Sequence, residues 1–346
     1  MELEVLTERE KSILEIVVQQ FVLTGSPIGS RTLSKKHTQK LSPASIRNVM
    51  ADLEDKGYLD HPHTSAGRVP TTKGYRLYVD NLIQLTQLSE EEKKNIQENI
   101  GLFNGDVDFI LEKTSHVLAK ISRQLGVILT PKFDDGILEK IDIIQVASEK
   151  ILVVLSIKNG IARTILLEVQ HDLNTNDIIK LVSLLNEKLA GLSIKTIKQT
   201  FRDRFQEYMN QEEIGLVRVF IDSADKIFDF KRYADLKLTG ASNIITSPEF
   251  RNVEKFSALI ELFEEKNIII HMLDKFAEKP GLKVTIGEEL EEVLVQECSV
   301  VSAPYKIGTV DGILGVIGPM RMAYRKVIPV VDFTARLITK MFEEKY

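Results

Sequence analysis

Arg47 and Asn48 stand side by side between Ala44 and Ala51 in the stretch Ser42-Pro43-Ala44-Ser45-Ile46-Arg47-Asn48-Val49-Met50-Ala51-Asp52-Leu53-Glu54-Asp55-Lys56-Gly57. A guanidinium can bond guanine O6 and N7 together, and a carboxamide can do the same with adenine N6 and N7. Small neighbours let the helix that carries them come close to a surface. Asp52, Glu54 and Asp55 gather at the far end of the stretch. The positive end of the helix dipole would thus lead into a groove lined by phosphates, with the acids left outside. Taken alone, the pattern fits a recognition helix in the DNA major groove. It fits equally an amphipathic helix with a mixed solvated face, and the surroundings must decide.

The element that positions these residues is written into the same stretch. Ser42 is a good N-cap, Pro43 suits the first helical position, and Gly57 suits the left-handed residue that ends a helix. Ile46, Val49, Met50 and Leu53 recur at i, i+3, i+4, i+7 and make one apolar face. Upstream, the capping box Thr7-Glu8-Arg9-Glu10 opens a helix carrying Ile13, Leu14, Val17 and Phe21 as far as Gly25. After the turn Ser26-Pro27-Ile28-Gly29, Ser30 caps a short helix to about His37, with Leu33 inward and Lys35 and Lys36 outward. Three helices with a short connection between the second and third give a helix-turn-helix. Downstream, residues 58–61 and 68–70 read as two short strands around a tip, which makes a winged helix with Arg68 placed for a phosphate or the minor groove.

Charge supports this reading. The 346-residue chain has net charge −5, yet residues 25–80 hold nine Lys and Arg against five Asp and Glu, a local +4. A phosphate-binding surface needs such local basicity. Arg47 and Asn48 are therefore the base-reading candidates, with Ala44 allowing close approach. Ser42, Ser45, Lys35, Lys36, Arg68 and Lys73 are the candidates for positioning the phosphate backbone.

Length allows two or three domains, and 43% hydrophobic with 27% charged residues is ordinary for a globular chain. No apolar run approaches the ~18 residues of a membrane span and no signal-peptide pattern opens the chain, so a cytoplasmic protein without a membrane partner is expected. The single cysteine, Cys298, excludes an internal disulfide framework and reads as a small buried hydrophobe. His61-Pro62-His63 could suggest a metal pair, but no further ligand accompanies it, and a wing-loop reading is preferred. Gly308, Gly312, Gly315 and Gly318 fit neither a dinucleotide nor a P-loop pattern and read as close packing in a sheet. No nucleophile-elbow or zinc-protease motif occurs. No enzyme, cofactor or metal is expected.

Beyond the winged helix, a helix from Thr71 or Thr72 is expected to reach about Ser89, with a linker over 86–92 and one helix over 90–122. β-Branched runs at 127–129, 141–146, 151–155 and 163–169 predict a mostly antiparallel sheet, with a tight turn at Lys158-Asn159-Gly160. Helices follow at 174–189 and 194–209, a strand at 243–246 and a helix at 257–273. Strands at 281–286, 298–305, 312–317 and 325–330 precede a closing helix at 332–342. Strands on both sides of a helical middle suggest an insertion into one α/β sensor-like domain, and the lack of regular alternation disfavours a Rossmann fold.

Three stretches closely resemble the bacterial heat-inducible transcription repressor (HrcA) family. They are Gly67-Arg68-Val69-Pro70-Thr71-Thr72-Lys73-Gly74-Tyr75-Arg76-Leu77-Tyr78-Val79-Asp80, Leu41-Ser42-Pro43-Ala44-Ser45-Ile46-Arg47-Asn48-Val49-Met50-Ala51-Asp52-Leu53-Glu54, and Gly312-Ile313-Leu314-Gly315-Val316-Ile317-Gly318-Pro319-Met320-Arg321-Met322-Ala323-Tyr324. The resemblance implies an α+β multidomain chain: a winged helix-turn-helix with linker helix at 1–88, a GAF-like α/β domain at 89–170 and 241–346, and a dimerisation domain inserted at 171–240. It also implies a homodimer that represses chaperone operons of the groE and dnaK type by binding the CIRCE inverted repeat and loses activity on heat shock. A GroEL-type chaperonin is implied as the partner that keeps it active. Within the regulatory class the rival is a winged-helix regulator gated by a small molecule in the GAF-like domain. From another class, the rival is an enzyme or adaptor whose winged helix binds protein.

Overall fold

The computed structural model describes residues 6–36, 41–62, 67–101, 107–131, 133–158, 161–169, 174–208, 215–228, 236–277 and 281–345. The chain opens with α1 (Glu8–Thr24), α2 (Ser30–Lys36) and α3 (Pro43–Asp55). The Thr7–Glu10 capping box forms at the start of α1. A hairpin of β1 (Leu59–Asp60) and β2 (Val69–Pro70) lies beside α3, its base closed by a bridge between Ile28 and Arg68. Ile13, Leu14, Val17, Leu33, Ile46, Met50 and Leu53 form the core of this unit.

α4 (Thr72–Leu77) follows, capped by Thr71, and runs into a π-helical turn over Tyr78–Leu82. The helix expected to reach Ser89 ends there, because Ile83 turns extended (ψ 131°) and the chain crosses to the C-terminal part of the fold. Residues 90–122 are two helices rather than one, α5 (Glu90–Gly101) and α6 (Val107–Ser122). The break lies at a Gly101 terminus, and residues 102–106 are outside those described.

The strands expected to share one sheet form two. The larger sheet contains β3 (Leu125–Leu129), β7 (Leu236–Thr239), β8 (Lys283–Ile286), β9 (Cys298–Ile307) and β10 (Val310–Pro319) in the antiparallel order β7-β3-β10-β9-β8. Its strands alternate between two cores, as a period of two requires. Leu125, Val127, Ile313 and Ile317 face α11 (Ala241–Ile245), α12 (Val253–Glu264) and α13 (Lys266–Ala277), while Ile128, Leu314 and Val316 face α6 and α14 (Tyr324–Lys345). The smaller sheet, β4 (Leu138–Ala147), β5 (Lys150–Ile157) and β6 (Ile161–Glu168), pairs only with itself. It packs on α7 (Thr175–Leu189), with α8 (Ile194–Arg204), α9 (Gly215–Asp222) and α10 (Ala224–Ile227) beyond. Asn186 of α7 clasps the backbone of Ile141 at 2.8 Å in both directions. The border expected at 170/171 therefore runs through one packed unit. Asn159 and Gly160 of the expected turn lie outside the described residues.

Four further expectations change. Residues 325–330, rich in Val and Ile, are the first turns of α14 and not a strand. Pro329 within it has no N–H to give the Arg325 carbonyl one turn earlier, and the Thr86 N–H takes that carbonyl at 3.0 Å. A tertiary contact thus fills the gap that proline leaves. Residues 243–245 belong to α11 and not to a strand, held there by the Asn243 amide on the carbonyls of Ala119 and Gln124. The helix expected over 257–273 is broken at Glu265 into α12 and α13. The helix expected over 194–209 stops at Arg204, followed by a 3-10 turn at Gln206–Tyr208, and Met209 lies outside the described residues. Among the described residues no helix is long and apolar enough to cross a membrane.

Candidate nucleic-acid interface

The Ser42 hydroxyl accepts from the Ser45 N–H at 3.1 Å and donates to the Ser45 hydroxyl at 3.0 Å, which fixes the start of α3. Pro43 occupies the first turn and Gly57, with φ +75°, follows the last. Ile46, Val49, Met50 and Leu53 are buried. That burial decides which face is left: Ala44, Arg47, Asn48, Asp52 and Asp55 are exposed, with Ser45 and Ala51 half-buried between them. Among the described residues Arg47, Asn48 and Lys35 have no hydrogen-bond or ion-pair partner, so their polar groups are available to a ligand. Lys35 projects from α2, whose end is tied to the residue just before the α3 cap by the Ser34 hydroxyl, which donates to the Leu41 carbonyl at 3.0 Å. The Lys36 side chain lies outside the described residues.

Arg68 and Lys73 are placed differently. Arg68 grips Glu54 through Nε and Nη2, both at 2.7 Å, and so pins the hairpin to the C-terminal end of α3. Lys73 donates to the Lys56 carbonyl at 2.8 Å and sits 4.3 Å from the centre of the Tyr58 ring. At ~1.5 Å per residue, the 13 residues of α3 put about 20 Å between that end and Ser42. The structure thus brings Ser42, Ala44, Ser45, Arg47, Asn48 and Lys35 to one end and leaves Arg68 and Lys73 at the other. Arg31, exposed on α2 four residues before Lys35, joins the first group. Its signal was that i, i+4 spacing on a helix surface.

At the acidic end, Glu10 of α1 pairs with Lys56 at 2.7 Å. Burial alone would raise the Glu10 pKa; the Lys56 ammonium and the hydrogen bonds of Thr7 outweigh it and hold the carboxyl below its ordinary range. The other candidate chemistries resolve into packing. Burial pushes the Cys298 thiol up to about 12, which leaves it inert. Gly312 lies beneath the Tyr305 ring, at 2.4 Å from where a Cβ would be, and backbone approaches Gly315 as closely, so these glycines fit strands together. The His61 ring nitrogen meets the Gly67 carbonyl at 3.2 Å, and His63 is outside the described residues. A cavity of about 260 Å³ lies between α13 and β8, and Lys275 and Glu291 of its lining pair with each other.

Comparison with known proteins places the chain among transcription repressors. Residues 108–328 match the family described as the HrcA protein C terminal domain. The heat-inducible transcription repressor HrcA of Geobacter sulfurreducens is 36% identical over 343 residues, covering 98% of each chain. That of Syntrophobacter fumaroxidans is 36% identical over 345 residues, again 98% of each. That of Chlorobium phaeobacteroides is 37% identical over 341 residues, 95% of this chain and 96% of its own. A crystal structure titled only as a hypothetical protein shares the fold with a TM-score of 0.64 at 19% identity, covering 99% of this chain and 100% of its own. The chain belongs to the HrcA family of heat-inducible transcription repressors.

Proposed function

We propose that the chain is a DNA-binding repressor of chaperone operons that acts as a homodimer on an inverted repeat of the CIRCE type. In this reading residues 6–82 are a winged helix-turn-helix, the five-stranded unit is GAF-like, and the three-stranded unit with α7–α10 is the inserted dimerisation domain. The observation that carries it is the outward end of α3, where Arg47 and Asn48 stand without a partner among the described residues, between small neighbours, while the acids stay at the opposite end. Arg47 and Asn48 read base edges; Ser42, Ser45, Arg31, Lys35 and Lys36 hold the backbone, and Arg68 and Lys73 serve phosphates only if they leave their present partners.

The dimer reading is supported by the second face of the small sheet. Ile151, Val153 and Leu155 point to the helices, and the opposite row, Ile144, Leu152 and Leu166 in register, is apolar and open, with Ile144 52% and Leu166 48% exposed. Loss of activity on heating follows from unfolding or aggregation of a marginally stable repressor, which a GroEL-type chaperonin reverses. Derepression with the repressor still soluble and folded would count against that step.

The test is binding to a labelled inverted-repeat duplex and to a scrambled one at two salt concentrations. Wild type is expected to prefer the repeat, and Arg47→Ala to lose ~1–3 kcal/mol of that preference with its salt slope kept. Equal, weak binding to both duplexes by wild type, unchanged by added GroEL, would transfer the case to a protein-binding role for this unit.

A further inference from the structure

The N-terminal unit is tied to the five-stranded unit at two places, and the segment that follows it at a third. At the end of α1, Arg321 donates from Nη1 to the Val22 carbonyl at 3.0 Å and forms an ion pair from Nε with Glu249. That carbonyl is one of the last four of the helix, which have no partner of their own, and α1 carries no basic residue in its last turn. Arg321 supplies the missing cation from 299 residues away. At α4, Arg76 grips both carboxylate oxygens of Glu289 and also donates to the Val284 carbonyl. Along the crossing segment, the Thr86 N–H meets the Arg325 carbonyl at 3.0 Å and Arg325 returns a bond to the Gln84 carbonyl at 2.8 Å. Attachments at the end of α1, at α4 and along the segment that leaves the unit together restrict how it can turn.

None of them touches the outward face of α3, so the contact is no mask over that helix. These three attachments are polar, and they accompany an apolar contact: Tyr75 and Tyr78 share one buried core with Met322, Tyr324 and Val327, the Tyr75 ring lying 6.2 Å from that of Tyr324 with its buried hydroxyl unpartnered among the described residues. That apolar packing holds the two units together without fixing a direction. What directional ion pairs and hydrogen bonds add is a defined angle.

We infer that Arg76, Arg321, Glu249 and Glu289 are positioning residues that set the angle of each recognition helix to the body, and through it which half-site spacing the dimer accepts. This rests on the DNA-binding reading above. In a dimer joined elsewhere, each α3 is aimed only by this junction. With the junction intact, one spacing lets both helices engage together. With it loosened, each unit turns freely, half-sites are bound as before, and many spacings become equivalent.

The experiment uses the full chain and the double variant Glu249→Gln, Glu289→Gln, which keeps size and shape while removing both charges. Fluorescent labels go on Asp60→Cys and Glu343→Cys, both exposed, with Cys298 buried and out of competition. Labelled chain is diluted in unlabelled chain. Without DNA, wild type is expected to give one narrow distance distribution and the double variant a broad one; equal widths overturn the inference. Binding is then measured to a single half-site and to inverted repeats with spacers stepped through one helical turn. Wild type is expected to favour its best spacing by ~100-fold or more, and the double variant by less than about tenfold, with half-site affinity unchanged. The same spacing profile in both proteins also overturns it. If wild type prefers no repeat over a scrambled duplex, the DNA reading fails, while the distance distributions still report separately on the junction. Tyr75→Phe, which removes the orphan hydroxyl without opening a cavity, is expected to raise the temperature at which the distribution broadens. A lower temperature would show that the hydroxyl holds the junction together, contrary to the inference.

Discussion

Two arginines near α3 illustrate how much a single residue's role depends on its partner. Arg47 and Arg68 are both basic and both near one helix, and in the sequence they differ little. In the fold Arg47 is exposed and without a partner among the described residues, whereas Arg68 is 19% exposed and held by two nitrogens on Glu54, 29% exposed. Nothing in the local sequence marks Glu54 as that partner, since it sits 14 residues away in another element. The difference is measurable. A double-mutant cycle between Arg68→Ala and Glu54→Ala, read by urea unfolding, is expected to give a coupling of ~1 kcal/mol, as for a partly buried pair with two guanidinium nitrogens on one carboxylate oxygen. Arg68→Ala should leave the salt slope of DNA binding unchanged, while Lys35→Ala should reduce it by about one, the signature of a phosphate contact. A reduced slope for Arg68→Ala would return it to the phosphate set.

Elements were legible in the sequence where their signals are local. The capping box of Thr7, the Ser42-Pro43 start of α3, its buried stripe and the Gly57 end all follow from spacing and backbone preference, and all are present. Strand partners are different, because a period of two says which face is buried and not which strand is next. β4 to β6 therefore read as part of the same sheet as β3, although their partners lie only among themselves. In residues 325–330 the β-branched side chains favoured a strand, but Val327, Ile328 and Val330 are all buried in the packing of α14 on β9 and neighbouring helices, and packing outweighs a propensity worth well under ~1 kcal/mol per residue. Two predictions belong here. Gly126 of β3 lies where a Cβ would be 2.3 Å from the Ser115 carbonyl of α6, so Gly126→Ala must push helix and strand apart. A loss of ~1–3 kcal/mol in chemical denaturation is expected, as for an overpacked core. The second concerns the tie between α1 and α3. Because the Glu10 pKa is held below its unfolded value near 4.5, the stabilisation is present above that value and is lost as pH falls through the lower, folded one. Glu10→Gln should therefore be less stable than wild type at pH 7, and the gap should close as pH falls through the lowered Glu10 pKa. A gap that persists at low pH would mean that Glu10 acts through packing rather than charge.

At the scale of the whole molecule, the proposed reading of DNA and the proposed joining of subunits fall on different units, the first on residues 6–82 and the second on the three-stranded sheet. The small sheet, buried on one side by helices, is the only one of the two larger units whose second face is open among the described residues: the five-stranded sheet has helices on both. The open face carries the apolar row Ile144, Leu152 and Leu166 flanked by polar rows that include Lys140, Asp142 and Thr164, and a second copy covers that row in the proposed homodimer. Ile144 and Leu166 lie in one row across β5, so a charge at either is buried against its own symmetry mate or a neighbouring apolar side chain on association. Ile144→Asp and Leu166→Asp are expected to leave the monomer folded, since both side chains are about half exposed already, and to shift sedimentation from dimer to monomer. The consequence for DNA separates this junction from the one that aims α3. A monomer keeps its affinity for a single half-site but loses the gain from engaging two at once, ~10²–10⁴-fold at any spacing. The loosened dimer of Glu249→Gln, Glu289→Gln keeps part of that gain and loses only its selectivity among spacings. A dimer of unchanged mass in Ile144→Asp would move the subunit contact off this sheet and leave its apolar row for another partner.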